Sequence, residues 1–302
     1  MTVPHRALDR RRFLQGGLAA SAMLLAAKPV WSNDSADKKP KICAFIKFVQ
    51  SYDYDELAEK IAAAGFDGIE ATVRKGGYIE GKDAEEKLPR LNEALRKNDL
   101  EITVLCTDII RADQPHAQTL LRTAAGLGVK QYRMGFARYD LKRPILEQLE
   151  AFRPAFRELS ELNREIGMQA VYQNHSGPDY LGGPLWDVQR IIADLPVEQM
   201  AVAYDIRHAT IEGGLSWPLT YKMIRPHIGA AFVKDFDWVG RKAEHVPLGE
   251  GRVDPTFFKM LQEDGFEGPY SIHVEYLGGR SAEENLEAMK RDLAVLRRWL
   301  AA

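Results

Sequence analysis

The chain of 302 residues predicts a single (β/α)8 TIM barrel, and three observations predict it. From residue 42 onward, short apolar runs alternate with helical periodicity eight times, in about the length such a barrel needs. The runs carry no polar outer face, as expected of strands covered by helices on one side and filled by packed side chains on the other. Glycine recurs just past a helix and just before a strand, in AGFDGIE, LGVKQYR, IGMQAVY and DGFEGPYSI, where a helix end favours it.

The units follow in order. Strand 42–48 precedes helix 53–64, in which Leu57, Ile61, Ala62 and Ala64 recur at helical spacing before Gly65. Strand 68–73 leads to helix 82–97, strand 100–107 to helix 113–127, and strand 131–136 to helix 144–166. Strand 169–173 leads to helix 184–193, strand 200–204 to helix 217–224, strand 229–234 to helix 255–264, and strand 270–276 to helix 282–299. The long loop 236–253, with Trp238, Arg241, His245 and the Gly249-Glu250-Gly251 turn, is a candidate lid over the barrel mouth or a subunit contact in a homo-oligomer. No linker or change of composition divides 42–302, so it reads as one domain behind a polar, lysine-rich lead, 33–41.

The first 32 residues read differently. Arg10 and Arg11 stand before Phe13 and Leu14 in DRRRFLQ, and the apolar run 16–27 is too short to span a bilayer. Small residues in VWS, ending at Ser32, suit cleavage. The segment reads as a twin-arginine (Tat) export signal, implying passage through the Tat translocase to the periplasm or beyond. It carries a net +4, leaving −6 for the rest of a chain whose total is −2. An acidic body argues against a nucleic-acid partner, and no other segment approaches the length of a membrane span. Cys43 and Cys106 lie inside apolar runs and read as buried thiols.

Chemistry concentrates in MAVAYDIRHAT, where an apolar strand runs straight into Asp205 and His208. Residues two apart on a strand share a face, pairing Gln173 with His175, Phe232 with Lys234, and His273 with Glu275. Asp205 and Glu275 should therefore meet at the carboxyl-end rim, where barrels of this class gather their chemistry.

These stretches, with FVKDFD, PLGEGRVDPTFF and GPYSIHVEY, resemble the xylose isomerase-like TIM barrels: ketose 3-epimerases, hydroxypyruvate isomerase, inosose dehydratase and, more distantly, an endonuclease. The resemblance implies a divalent metal (Mn, Mg or Zn) held by Glu, Asp, His and Glu on strands five to eight. Asp205 and Glu275 match two of these positions, and His208 matches a residue that contacts substrate oxygen. Gln173 and Phe232 depart from the other two, so a metal would rest on Asp205, Glu275 and Gln173, with His273 or His175 as substitutes; His273 reads equally as a core histidine below the rim. An amide cannot accept a proton at neutral pH, which removes one of the two carboxylates such epimerases use. The implied chemistry is then proton abstraction next to a carbonyl by Glu275, with return from Glu275 or His208 and an enediolate stabilised by Lys234 or a metal. Lys234 reads equally as half of a structural ion pair.

Gln173, His175, Arg133, Glu70, Trp238 and Lys47 are candidate substrate contacts, and Tyr180, Trp217 and Tyr276 are candidate faces for a sugar ring. The reading is an exported isomerase or epimerase acting on a carbohydrate or an oxidised derivative. The alternatives are a β-eliminating lyase or dehydratase, or a sugar-binding barrel without catalysis.

Overall fold

A computed structural model describes residues 40–302. The expected signal segment 1–32 and most of the polar lead lie outside the described residues. The elements run β1 (Ile42–Phe45), α1 (Tyr54–Ala64), β2 (Gly68–Thr72), α2 (Ala84–Arg96), β3 (Glu101–Cys106), α3 (Ala117–Gly126), β4 (Gln131–Arg133) and α4 (Ile145–Ile166). They continue with β5 (Gln169–Gln173), α5 (Trp186–Ile192), β6 (Met200–Asp205), α6 (Ile206–Gly213), α7 (Trp217–Ile224) and β7 (Ile228–Val233). The chain closes with β8 (Asp235–Val239), β9 (Lys242–Val246), α8 (Thr256–Glu263), β10 (Tyr270–Ile272) and α9 (Ala282–Leu300).

Eight parallel strands close into a ring in the order β1-β10-β7-β6-β5-β4-β3-β2, the (β/α)8 barrel the alternation predicts. Inside the ring pack Val104, Val171, Ala201, Ala203, Ala230 and Phe232. Between ring and helices lies the larger core, built from side chains such as Leu57, Leu88, Leu121, Phe156, Tyr204 and Phe257. Cys43 and Cys106 are free, buried thiols, and burial pushes the Cys106 thiol up to about 11.

Several strands stop short of their predicted ends, and the reasons are local. After β1 the chain tightens into a 3-10 turn at Ile46–Phe48. After β4, Gly135 lies flush on Asp108, whose carbonyl oxygen a Cβ would meet at 2.6 Å, and its N–H donates to the Ile109 carbonyl at 2.9 Å. After β10, His273 keeps one bond to the Val233 carbonyl at 2.9 Å while the next residues turn out toward the rim.

Two elements go beyond the prediction. α6 follows β6 without a break because Asp205 serves as its N-cap, accepting the His208 N–H at 3.1 Å. The predicted loop 236–253 instead begins as an antiparallel hairpin, β8–β9, turned at Gly240. Beyond it the chain is wrapped around the buried Asp235 carboxylate, which accepts from the N–H groups of Phe236, Gly249, Gly251 and Val253 at 2.8–3.1 Å. Gly251 sits so close to Asp235 that any Cβ would overlap its carboxylate.

Candidate active site

The carboxyl ends of β5, β6, β7 and the segment after β10 converge on one buried cation. Lys234, the residue following β7, is 4% exposed; its Nζ lies 3.2 Å from Asp205 Oδ2 and 3.3 Å from Glu275 Oε2. Asp205 is fully enclosed and its donors are fixed: Gln173 Nε2 donates to Oδ2 at 2.7 Å, while Asn174 holds the backbone through two bonds of 2.7 and 3.0 Å. Glu275 is 18% exposed, so it is the carboxylate of the pair that a ligand in the mouth can reach. Burial alone would raise the Glu275 carboxyl, but the Lys234 ammonium, followed by His273 and His245, pulls it far below the usual range.

Three histidines line the same rim in neutral form. His208 accepts from Ser176 Oγ at 2.8 Å through Nδ1, where Arg207 also approaches at 3.3 Å. A guanidinium only donates, so the one ring proton is on Nε2, which is buried without a hydrogen-bond partner and lies 3.6 Å from Asp205. Burial and then Lys234 drive His208 well below its ordinary value. His175 stacks between His208 and Tyr180, with ring centres 3.9 and 4.3 Å away, and its Nδ1–H donates to the Ser176 carbonyl at 2.8 Å. His245 reaches in from β9, with Nε2 3.4 Å from Glu275. Burial lowers both to about 4.

One layer deeper, Glu70 accepts from Ser271 Oγ at 2.6 Å and from His273 Nε2 at 2.8 Å. Arg133 bridges the layers. Its Nη1 donates to Gln173 Oε1 at 2.7 Å, while Nε and Nη2 have no hydrogen-bond partner and Nε stands 4.0 Å from Glu70 Oε1. Burial opposes ionisation of Glu70, yet His273 and Arg133 hold its carboxyl below the usual range.

The residues do not fit a divalent metal, whose ligands must present oxygen or nitrogen lone pairs to one point. Asp205 and Glu275 point at an ammonium. Gln173 turns its N–H toward Asp205, because its carbonyl is engaged by Arg133. Phe232 is buried beside the His273 ring, with centres 4.6 Å apart, and His273 faces Glu70 rather than Asp205. Among the described residues no three His, Cys, Asp or Glu side chains converge as a ligand set. The expected metal set of Asp205, Glu275 and Gln173, with His273 as a substitute, is therefore not what these side chains form: Lys234 Nζ stands between Asp205 and Glu275.

The aromatic expectations divide. Tyr180 stands at the rim with His175 and Phe136. Trp217 is instead packed in the core against Phe257, and Tyr276 is tied to Asp292 and Arg291, facing α9. Trp238 is 43% exposed on β8, edge-on to Phe236. Asn174, Ser176, Arg207 and Ser271 escaped the sequence reading. The nearest signal for the first two was their position beside Gln173 and His175 in YQNHSG.

A family model for xylose isomerase-like TIM barrels matches residues 58–299. Among solved structures, a 3-keto-D-glucoside 4-epimerase from E. coli is 19% identical, with TM-score 0.65, covering 86% of this chain and 100% of that one. A probable 3-DHS dehydratase from Bacillus anthracis is 18% identical, with TM-score 0.65, covering 85% and 99%. A D-psicose 3-epimerase from Clostridium cellulolyticum, solved with D-tagatose, is 14% identical, with TM-score 0.64, covering 87% and 99%. At these identities the likeness is one of fold. No curated protein matches the chain significantly.

Proposed function

The chain belongs to the xylose isomerase-like TIM barrel family, and on that premise we propose that it is a sugar isomerase or epimerase type of enzyme that abstracts a proton next to a carbonyl. The observation that carries the reading is the placement of Lys234 between the enclosed Asp205 and the reachable Glu275. The sugar epimerases among its structural relatives support the substrate class.

In this reading Glu275 takes the proton from the carbon beside the carbonyl, and the C–H electron pair moves into an enediolate. The negative charge develops on the former carbonyl oxygen, and Lys234 Nζ donates to it. A carbonyl oxygen competing for the ammonium also loosens its contact with Glu275, which raises the proton affinity of that carboxylate as the base is needed. Glu275 then returns the proton, to the same carbon in an epimerisation or to the neighbouring carbon in an isomerisation, where the hydroxyl proton of that carbon passes to the former carbonyl oxygen; His208 Nε2–H can donate a hydrogen bond to a substrate oxygen. Gln173, itself held by Arg133, fixes Asp205 beside Lys234, and His175 offers a ring nitrogen as acceptor. β-Elimination stands beside isomerisation for one reason: Gln173 leaves the site with a single reachable carboxylate, which suits one-base chemistry.

Sugars and keto-sugars incubated in deuterated water test this by NMR. Loss of one C–H signal with the native protein, and its persistence with Glu275→Gln, is the expected pair of results. A sugar that binds without any exchange makes the protein a binding barrel instead. The DRRRFLQ segment supports export by the twin-arginine route to the periplasm or beyond.

A further inference from the structure

A cavity of about 430 Å³ lies over the carboxyl ends of β1, β2 and β3. Its lining includes Lys47, Gln50, Thr72, Arg74, Lys75 and Asp108, three cations against one carboxylate. None of the three cations forms an ion pair among the described residues. β1 and β10 are parallel neighbours with Ala44 opposite Ile272, so Lys47 and Glu275 each stand three residues past a paired position at the same end of the ring, and the Phe45 and His273 rings beneath them lie 4.3 Å apart.

The cavity floor is fixed. Thr72 Oγ1 donates to Gln50 Oε1 at 2.6 Å and accepts the Tyr78 N–H at 2.9 Å, while Gln50 Nε2 donates to the Lys47 carbonyl at 2.9 Å. The turn that presents Arg74 and Lys75 is pinned at both ends. Arg74 N–H donates to the Ile79 carbonyl at 3.0 Å and Gly77 N–H to the Arg74 carbonyl at 2.8 Å. A Cβ at Gly77 would meet the Thr72 carbonyl oxygen at 2.7 Å, so the turn lies flat on the strand end.

We propose that this cavity is an acid-binding subsite, and that the substrate is a carbohydrate bearing a carboxylate or phosphate group held by Lys47 and Arg74 while its carbonyl lies at Lys234. The inference rests on the reading of Glu275 and Lys234 as the reaction centre. It adds what that reading leaves open, namely the charge of the substrate. An unpaired guanidinium in a fixed turn suits either oxyanion, since both accept its paired N–H groups.

Titration calorimetry with inorganic phosphate, D-glucuronate, D-glucose 6-phosphate and D-glucose separates the sources. Saturable binding of the anions, with glucuronate or glucose 6-phosphate at least about tenfold tighter than glucose, is expected. The better of the two names the acid. Lys47→Met with Arg74→Gln should weaken the anions about tenfold or more and leave glucose unchanged, with the folded state checked by circular dichroism. Absence of saturable anion binding to the native protein, or equal affinity for glucose and glucuronate, overturns the subsite. Those results leave the exchange reaction at Glu275 standing. Anion binding without exchange in any sugar overturns the reaction and leaves the subsite.

Discussion

At the scale of single residues, the site turns on an ammonium where the resemblance implied a metal. Glu275→Gln should lower turnover about 100- to 10,000-fold, the usual weight of a general base, with substrate affinity changed far less; steady-state kinetics read both. Lys234→Met removes the strongest influence that depresses Glu275 and leaves burial, which raises it, opposed only by the weaker influence of His273, His245 and Lys47. The acid limb of the kcat/KM profile should therefore move to higher pH in that variant, and an unmoved limb would detach Glu275 from Lys234. The same change strands the enclosed Asp205 carboxylate, at a cost of about 3–5 kcal/mol in unfolding free energy measured by denaturant. That Asp205 and Glu275 reach one rim was legible in the sequence because one ends a barrel strand and the other stands just past the end of another. The direction of the Gln173 amide was not. It is set by Arg133, 40 residues away in sequence, and only the assembled ring brings the two together.

At the scale of elements, the barrel strands and most helices were legible because buried parallel strands are uniformly apolar and glycine marks their boundaries. The hairpin β8–β9 was not. Its sequence, DFDWVGRKAEHV, is polar and charged, and it forms because it lies across the barrel rim: Arg207 Nη2 donates to the Ala243 carbonyl at 2.9 Å and His245 reaches Glu275. α6 was missed for a similar reason, since its start is fixed by the Asp205 cap that also faces the site. The loop behind the hairpin depends on Asp235 and on Gly251. Gly251→Ala should displace the Asp235 carboxylate and lower the melting temperature by several degrees, as about 1–2 kcal/mol would in a domain this size, whereas Gly126→Ala, in open space and without a left-handed backbone, should cost less. Differential scanning calorimetry of the two variants makes the comparison.

At the scale of the whole molecule, stability should depend on pH through the neutral rim histidines. His175 and His245 titrate at about 4 when folded, against about 6.5 unfolded, and burial lowers His208 in the same direction. The unfolded chain binds these protons first, so stability is complete above about pH 6.5 and falls as the pH drops toward 4. Asp292, raised to about 7 by burial, acts in the opposite sense, since its contribution is present at low pH and lost as the pH rises toward 7. Melting temperature should thus decline from pH 7 to pH 4, and more steeply in Asp292→Asn. A flat profile in both proteins would show that the histidines stay accessible to protons in the fold. Lys234 has one more implication. In the proposed reaction, a positive charge joined to the main chain cannot be exchanged for a competing ion or stripped by a chelator, so every folded copy would carry its electrophile whatever ions surround it.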